Sequence, residues 1–290
     1  MDRAARVSSA RPDEALDLRA ESVQIRHVTE RTELVLAQPE QHGFAGTLRR
    51  ARRMAIITAW TSWVVAGARL RGLPPEGTHA AGLRRWAVGA RRILGVEFDV
   101  VHGEARAPER ARLVVANHRT PLDIIPLILL FGGHFLANHK TRKAPVIGGA
   151  AELVGTIFVD RDDRRSGANA IRQMKRYLEE KRTVIVFPEG TTHGGDEVRP
   201  FQRGAFLAAK GLDAEVVPVG IAYPSGHEFV QQSLGAHARG FLERPQNRAW
   251  VSIGEPIAAE QVVKDEEHVR SKVQELVDRS RAGAGSSRGR

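Results

Sequence analysis

Cysteine is absent from this 290-residue sequence. Its absence excludes a disulfide framework, a cysteine-ligated zinc or iron–sulfur site and a cysteine nucleophile, and it is compatible with the cytosol. Acidic residues are also in the minority, because 34 Asp and Glu face 44 Lys and Arg and leave a formal net charge of +10. This excess favours a polyanionic partner, which could be a nucleic acid, an anionic membrane surface or a phosphorylated substrate.

Several signatures of common enzyme and binding classes are missing. No predicted strand ends in a Gly-x-Ser-x-Gly elbow, and the sequence has neither a His-Glu-x-x-His pair nor a Gly-x4-Gly-Lys-Ser/Thr loop. Glu189 and His193 have the spacing of helical metal ligands, but Gly194 and Gly195 would end a helix there. No zinc-finger, basic-zipper or RNA-binding pattern accompanies the arginines. We therefore expect no metal, no cofactor and no nucleic-acid partner, and a non-catalytic basic binding protein is the remote alternative.

The overall composition is that of a folded, water-facing protein. Hydrophobic residues make up 42% and charged residues 27%, close to the roughly 45–50% and 25% of soluble globular domains. Met1–Arg11 lacks the apolar core of a secretory signal, so we expect the protein to stay inside the cell. Residues 1–44 show no sustained apolar period and are predicted to be a weakly ordered extension.

Residues 45–95 are predicted to form basic amphipathic helices that associate with a membrane. Four arginines between positions 49 and 53 precede the uncharged segment Met54–Ala68. As a helix this segment would be roughly 22 Å long, too short for a hydrocarbon core of ~30 Å, so we expect it to lie in the membrane rather than cross it. Trp60 and Trp63 would share a face at the headgroup boundary, with the arginines near lipid phosphates. A buried core helix is the alternative. A second basic helix is predicted over His79–Leu94.

From residue 96 onward, β-rich runs alternate with helical patterns. Strands are predicted at Val96–Val101, Arg112–Ala116, His134–Ala137, Thr156–Val159, Thr183–Phe187, Val216–Ile221 and Trp250–Ile253. Helices are predicted at Pro121–Phe131, Pro145–Leu153, Ser166–Lys181, Phe201–Gly211 and Ala259–Arg279. This alternation predicts an α/β fold with a layered, mostly parallel β-sheet flanked by helices, preceded by an N-terminal amphipathic helix pair. Residues 96–280 would form the main domain, and residues 281–290 a disordered Gly/Ser/Arg tail.

The segment Asn117–Asp123 follows a predicted buried strand, where α/β folds place their ligands. His118 is suited to be a general base, and a nearby carboxylate such as Asp123 would orient it. A spacing of five does not place two side chains on one helical face, so their pairing requires a turn, and Pro121 is suited to begin the following helix. The alternative is a structural His and an Asp that caps the helix.

Three further segments stand out. Phe187–Thr192 ends a strand at Gly190, whose free backbone N–H groups could cradle a phosphate or oxyanion, or form an ordinary turn. Glu189 could orient a substrate hydroxyl or anchor the loop to a neighbouring Arg. Arg161 ends the run Gly155–Arg161 and could hold a phosphate or pair with nearby aspartates. Pro218 interrupts a strand and is expected at an edge or bulge.

Taken in order, these segments resemble the four motifs of the glycerolipid acyltransferase family, which includes the bacterial 1-acylglycerol-3-phosphate acyltransferases. The first motif, Asn-His-x4-Asp, is matched by Asn117, His118 and Asp123, and the other three are matched around Arg161, Phe187–Thr191 and Val217–Val219. The resemblance implies that His118 is the general base and that Asp123 orients it. It also implies substrate-binding roles for six residues: Asn117, Arg161, Glu189, Gly190, Thr191 and Pro218.

The resemblance further implies the reaction and its setting. A fatty acyl group would pass from an acyl-CoA or acyl-carrier-protein thioester to the free hydroxyl of a lysolipid, giving phosphatidic acid when the acceptor is 1-acylglycerol-3-phosphate. The enzyme would sit on an anionic membrane surface at the cytoplasmic face, as a peripheral or monotopic protein. Two positions depart from the family pattern, because Thr192 replaces an Arg and Asn138 replaces a frequent Lys. Another lysophospholipid or lyso-ornithine lipid is therefore the alternative acceptor.

Overall fold

The computed structural model describes residues 43–70, 79–143, 148, 151–152, 155–228, 234–262 and 265–286. The strands are β1 Val96–His102, β2 Ala111–Ala116, β3 His134–Asn138, β4 Ile157–Val159, β5 Thr183–Val186, β6 Ala214–Ala222, β7 Asn247–Ile253 and β8 Ile257–Ala258. The helices are α1 Gly43–Leu70, α2 His79–Leu94, α3 Ile124–Phe131, α4 His139–Arg142, α5 Arg164–Glu179, α6 Gly204–Leu207, α7 Leu234–Glu243, α8 Ala259–Val262 and α9 Glu266–Ser286. Of the predicted extension over residues 1–44, only the last two residues lie in the described part, at the start of α1.

The strands form one eight-stranded sheet in the order β1-β7-β6-β2-β5-β3-β4, with β8 paired to β6. The pairs around the centre, β6 with β2, β2 with β5, β5 with β3 and β3 with β4, are parallel. Strand β7 is antiparallel to β6 and parallel to β1. The predicted mostly parallel α/β sheet is confirmed.

Successive residues of the central strand β2 pack on opposite faces of the sheet. Leu113 and Val115 belong to a core that includes α5 and α9, whereas Val114 and Ala116 belong to a second core with α2 and α3. Because side chains alternate along a strand, a strand covered on both faces is apolar throughout. All six residues of β2 are buried, so the continuous apolar runs in the sequence are explained by this three-layer arrangement.

The helices differ from the prediction at several places, one of which is the predicted helix Phe201–Gly211, where the helix covers only Gly204–Leu207. Helix α7 was not predicted, and the predicted helix Ala259–Arg279 is represented by α8 and α9, which lie on either side of residues 263–264. Helix α9 continues to Ser286, so the predicted tail over residues 281–290 begins too early; Arg281 pairs with Asp196 and holds the chain there. Most of the predicted helix Pro145–Leu153 lies outside the described residues.

Helices α1 and α2 form the predicted N-terminal pair, but only α2 has one apolar face. In α2, Leu83, Ala87, Ala90 and Leu94 are buried while its arginines are exposed. In α1, apolar side chains lie on both sides of the helix. Trp60 faces α2, because its Nε1 donates a hydrogen bond to the carbonyl of Trp86, whereas Trp63 is 57% exposed. The two rings do stack on one side of α1, with centroids 5.2 Å apart, and of the two Trp63 is the exposed one. Of the helices that the structure describes, none combines the length and the apolar character that a membrane span requires.

The arginines at the start of α1 were predicted to meet lipid phosphates, and three of the four instead bind the C-terminal end of α7. Arg53 is 8% exposed and donates hydrogen bonds to the backbone carbonyls of Arg244 and Pro245 at 2.5 and 2.8 Å, as well as to others nearby. Arg50 forms an ion pair with Glu243, and Arg49 donates to the carbonyl of that residue. The guanidinium groups of Arg49 and Arg53 satisfy carbonyls that a helix end leaves unpaired.

Candidate active site

The first motif forms a tight turn at the carboxyl end of β2. Nδ1 of His118 lies 2.8 Å from Oδ2 of Asp123, which also accepts hydrogen bonds from the backbone N–H groups of Arg119 and Thr120. Pro121 begins a 3₁₀ turn with Thr120 as its N-cap, so the chain reverses between the two side chains. The Asp123 carboxylate thus closes the capping box of this turn and also faces His118, but its side chain does not cap α3 as the alternative expected. An ionised carboxylate only accepts, so Nδ1 of His118 donates and Nε2 is left to accept a proton.

The ring of His118 is held on a second side by Phe187. The two rings stack with centroids 4.1 Å apart and an angle of 12° between their planes. The His118 side chain is 20% exposed, so one edge of the ring reaches the surface. Phe187 was matched to the third motif, but its contact with His118 was not predicted, because the contact joins two strand ends that the sequence does not show to be adjacent.

Asn117, predicted to bind substrate, is instead part of the sheet. Its side-chain amide donates to the carbonyl of Ile221 and its Oδ1 accepts from the N–H of the same residue, both at 2.8 Å. The residue is 0% exposed. The amide thus continues the pairing of β2 with β6 by one step beyond the strand and fixes the backbone from which His118 projects.

Glu189 takes the second of the two roles that the sequence left open, that of an anchor. Its carboxylate accepts from Nη1 of Arg119 at 3.1 Å to each oxygen and from the N–H of His118 at 2.6 Å. The N–H of Arg199 donates to the same carboxylate at 2.9 Å. The Glu189 and Arg119 side chains are 0% and 1% exposed. This buried ion pair joins the first motif to the third, and Arg119 was not identified from the sequence.

Arg161, Gly190 and Thr191 lie together at the surface of the site. Gly190 has φ +86°, and a side chain there would lie 3.2 Å from Nη1 of Arg161. Burial lowers the pKa of Arg161, although part of the residue is exposed. In the part of the chain that the structure describes, Arg161 has no ion pair; Asp163, one of the suggested partners, instead caps α5. Thr191 is exposed beside Gly190.

Pro218 was expected at an edge or bulge; it lies in the interior strand β6 opposite Val115 of β2, at a break in the pairing on the other side of β6. The missing N–H of Pro218 breaks no ladder hydrogen bond there, because the strand that pairs with β6 on that side changes at this point. β6 pairs with β8 up to Val216 and with β7 from Val219 onward. The carbonyl of Pro218 accepts from the N–H of Gly254, in the segment that links β7 to β8. Its ring is therefore built into the sheet.

Two buried polar side chains complete the surroundings of Asp123. The Tyr223 hydroxyl donates to Oδ1 of Asp123 at 2.7 Å. Nε2 of His237 lies 2.7 Å from Oγ1 of Thr120. Burial lowers the pKa of His237 to about 4, and the charge of Arg244 acts in the same direction against the opposite effect of Asp123. His237 is therefore neutral near pH 7. Neither residue was identified from the sequence.

The described residues contain no group of three His, Asp or Glu side chains placed to hold a metal ion. Glu189, one half of the pair that suggested such a site, is committed to Arg119. The other half, His193, lies in the loop after Thr191 and is tied to the first motif by a backbone hydrogen bond from its N–H to the carbonyl of His118.

The comparisons with known proteins agree with this arrangement. A sequence model for a family described as Acyltransferase matches residues 99–222, a range that includes all four motifs. A lyso-ornithine lipid O-acyltransferase of Pseudomonas aeruginosa is 33% identical over 184 residues, which are 61% of this chain and 68% of that protein. The chain belongs to the glycerolipid acyltransferase family.

One more relative is similar to this acyltransferase in sequence, and one solved structure is similar to it in fold. A 1-acyl-sn-glycerol-3-phosphate acyltransferase of Neisseria gonorrhoeae is 29% identical over 184 residues, covering 62% of this chain and 70% of that protein. The crystal structure of PlsC, the 1-acyl-sn-glycerophosphate acyltransferase of Thermotoga maritima, superposes with a TM-score of 0.57 at 22% identity, covering 82% of this chain and 98% of that one. The resemblance predicted from the four motifs is confirmed, and the protein is an O-acyltransferase.

Proposed function

We propose that this acyltransferase moves a fatty acyl group from a thioester to the free hydroxyl of a lysolipid, with His118 as general base. The observation that carries the proposal is the 2.8 Å contact between Nδ1 of His118 and Oδ2 of Asp123 on a ring whose other edge reaches the surface. A general base must hold an accepting nitrogen where the substrate proton arrives. Asp123 and Phe187 together leave only Nε2 for that role.

The reaction needs no covalent intermediate on the protein. Nε2 of His118 takes the proton of the acceptor hydroxyl, and the oxygen of that hydroxyl attacks the thioester carbonyl carbon. The resulting tetrahedral intermediate collapses with cleavage of the carbon–sulfur bond, and the leaving thiolate takes the proton back from Nε2. Asp123 stabilises the imidazolium that exists between these steps.

The test is thiol release from acyl thioesters by the purified protein in detergent with a lysolipid acceptor. We expect the His118→Ala variant to lose about 10²–10⁴-fold in turnover, as removal of a general base does. His193→Ala is the matched control, because His193 contacts His118 only through its backbone. Full activity of His118→Ala would contradict the proposal. Parallel assays with acyl-CoA and acyl carrier protein decide which donor is used.

We propose Arg161 as the group that binds the acceptor headgroup, together with Gly190 and Thr191. Its guanidinium lies over the Gly190 turn without an ion pair among the described residues, and guanidinium binds phosphate or carboxylate in a fork. A phosphate carries more negative charge than one guanidinium group neutralises. At position 192, where the family pattern has an Arg, this chain has Thr192 and so lacks that positive charge. This difference favours a second candidate, a lyso-ornithine acceptor, whose headgroup carries one carboxylate and one ammonium group.

Arg161→Ala tests whether this residue binds the acceptor headgroup. Losing a hydrogen bond to a charged group costs about 1.5–3 kcal/mol, so we expect the KM of the true acceptor to rise roughly 10- to 150-fold. The control is Arg164→Ala, an exposed arginine at the start of α5. Lysophosphatidate and lyso-ornithine lipid are compared side by side with the unaltered protein. An unchanged KM for both in Arg161→Ala would contradict the assignment.

We propose that α1 seats the enzyme on an anionic membrane at the cytoplasmic face, where thioester donors are found. The support is an exposed apolar surface along this helix: Phe44, Leu48, Met54, Ile56, Trp63 and Leu70. In the rest of the described chain, the large apolar side chains exposed to a similar degree are Val100 and Leu207. Concentrated exposed apolar area bordered by charge is typical of an interaction surface. Arg52 and Arg69 supply exposed positive charge on the same helix.

Sedimentation with vesicles of phosphatidylglycerol and phosphatidylcholine tests this surface. Trp63→Ser should weaken vesicle binding about tenfold, because it removes an aromatic side chain that would be buried in the membrane on binding. Leu207→Ser is the matched control, since Leu207 is 45% exposed on α6. Equal vesicle binding by Trp63→Ser and the unaltered protein would contradict the proposal.

A further inference from the structure

Asp123 is held by an unequal set of hydrogen bonds. Its Oδ2 meets His118 and two backbone N–H groups. Its Oδ1 accepts, within the residues that the structure describes, from the hydroxyl of Tyr223 at 2.7 Å. The Asp123 side chain is 0% exposed, so bulk water does not reach Oδ1. One side of this carboxylate therefore depends on a single donor.

Tyr223 is placed to be that donor at all working pH values. It directly follows β6, which pairs in parallel with β2, so both strands end on the same side of the sheet. Burial raises the pKa of Tyr223 well above its usual range, and the charges of Asp123 and Glu228 act in the same direction. The phenol stays protonated and donates the hydrogen bond, because an ionised carboxylate can only accept one. Arg281 of α9 donates to the backbone carbonyl of Tyr223 and holds it from outside.

We propose that Tyr223 is a positioning residue for acyl transfer, which fixes the rotation of the Asp123 carboxylate so that Oδ2 stays on Nδ1 of His118. The proposal rests on the role of His118 as general base. The terminal torsion of an Asp side chain is broad, so hydrogen bonds rather than rotamer preference set its angle. Three of those bonds converge on one oxygen, and Tyr223 holds the other. Small changes in the orientation of a catalytic group reduce the rate strongly.

Tyr223→Phe removes the hydroxyl and nothing else. We expect kcat to fall about tenfold, the loss that follows from a missing hydrogen bond to a charged group. The KM values for donor and acceptor should not change, because the residue is 1% exposed and does not reach the substrate. Tyr177→Phe is the matched control: Tyr177 is the other tyrosine of the chain, 2% exposed in α5, and its hydroxyl accepts from Gln173. This control should keep the kcat of the unaltered protein.

A double-substitution cycle shows whether Tyr223 acts through Asp123. In an Asp123→Ala background, Tyr223→Phe should change kcat less than twofold, because the carboxylate it positions is gone. An equal loss in both backgrounds, or a normal kcat for Tyr223→Phe alone, would overturn the proposal. If Asp123→Ala does not fold, the comparison of kcat with KM in Tyr223→Phe and Tyr177→Phe decides. An active His118→Ala enzyme would instead overturn the general-base function itself.

Discussion

Replacing Glu189 by Gln tests whether this residue anchors the site or binds the acceptor. Both carboxylate oxygens accept from Nη1 of Arg119, and each also accepts one backbone N–H, from His118 and from Arg199. Whichever oxygen the substitution turns into an NH₂ group, that group faces donors it cannot bond. The Arg119 charge is left buried without its counterion.

The magnitude follows from the burial of the pair. Breaking a buried ion pair by removing one partner costs about 3–5 kcal/mol, since an uncompensated charge stays behind. In a domain of this size about 1 kcal/mol corresponds to roughly 2–4 °C in Tm. We therefore expect Glu189→Gln to lower Tm by roughly 6–20 °C. The backbone of His118 loses its tie at the same time, so kcat should fall while the acceptor KM stays near its original value.

Thermal unfolding followed by circular dichroism measures the effect, alongside acyl-transfer kinetics at a temperature where both proteins are folded. Glu197→Gln is the matched control, because its side chain is 73% exposed and lies 3.6 Å from Arg199. An exposed pair is worth at most about 1 kcal/mol, so this control should lose no more than about 4 °C. The reasoning is refuted if Glu189→Gln unfolds within a few degrees of the unaltered protein and raises the acceptor KM.

Two further predictions concern buried basic groups. The folded-state pKa of His237 is about 4, below the ~6.5 of an unfolded His. Its contribution to the free energy of unfolding is therefore fully present above about pH 6.5. Up to about 3 kcal/mol of it is lost as the pH falls towards 4. His237→Gln should flatten that part of a Tm-against-pH curve, and an unaltered curve would contradict the prediction. Arg53→Met should cost roughly 1.5–3 kcal/mol, measured by urea unfolding, because it frees the carbonyls at the end of α7. The exposed neighbour Arg52 is the control, and equal losses in Arg52→Met and Arg53→Met would contradict the role of Arg53.

The sheet could be predicted from the sequence because its strands are covered on both faces. Short continuous runs rich in β-branched Val and Ile, such as Thr183–Phe187, are typical of such strands. Helix α7 could not be predicted in the same way. Its sequence contains Gly235 and Gly240, which weaken helix propensity, and the helix is held by tertiary contacts that include Arg53 at its end. Those contacts join residues about 190 positions apart.

The pairing of His118 with Asp123 was predicted, and so was an Arg anchor as one of two roles for Glu189, whereas the partners Arg119 and Tyr223 were not identified. His118 and Asp123 are five residues apart, and the residue types alone indicate a base and its carboxylate. Tyr223 lies 100 residues from Asp123, and Glu189 lies 71 from His118. Only the parallel neighbourhood of β5, β2 and β6 brings these side chains together. Without the order of the strands, a lone buried Tyr after a strand has no identifiable partner.

The polar residues of the motifs form two groups: buried ones that bind backbone groups of the protein, and ones that remain at the surface. A backbone N–H has no ladder partner where its own strand or the neighbouring strand has ended, and a buried one needs an acceptor. Asn117 supplies it for Ile221, and Glu189 for His118. The polar atoms of each side chain are already hydrogen-bonded within the protein, so few of them remain to bind a substrate. Because a headgroup must be reached from solvent, we propose its recognition by the residues that remain at the surface, Arg161, Gly190 and Thr191. Differences in acceptor between relatives should therefore appear at Thr192 and its neighbours, while changes at Asn117 or Glu189 should affect folding and turnover with any acceptor.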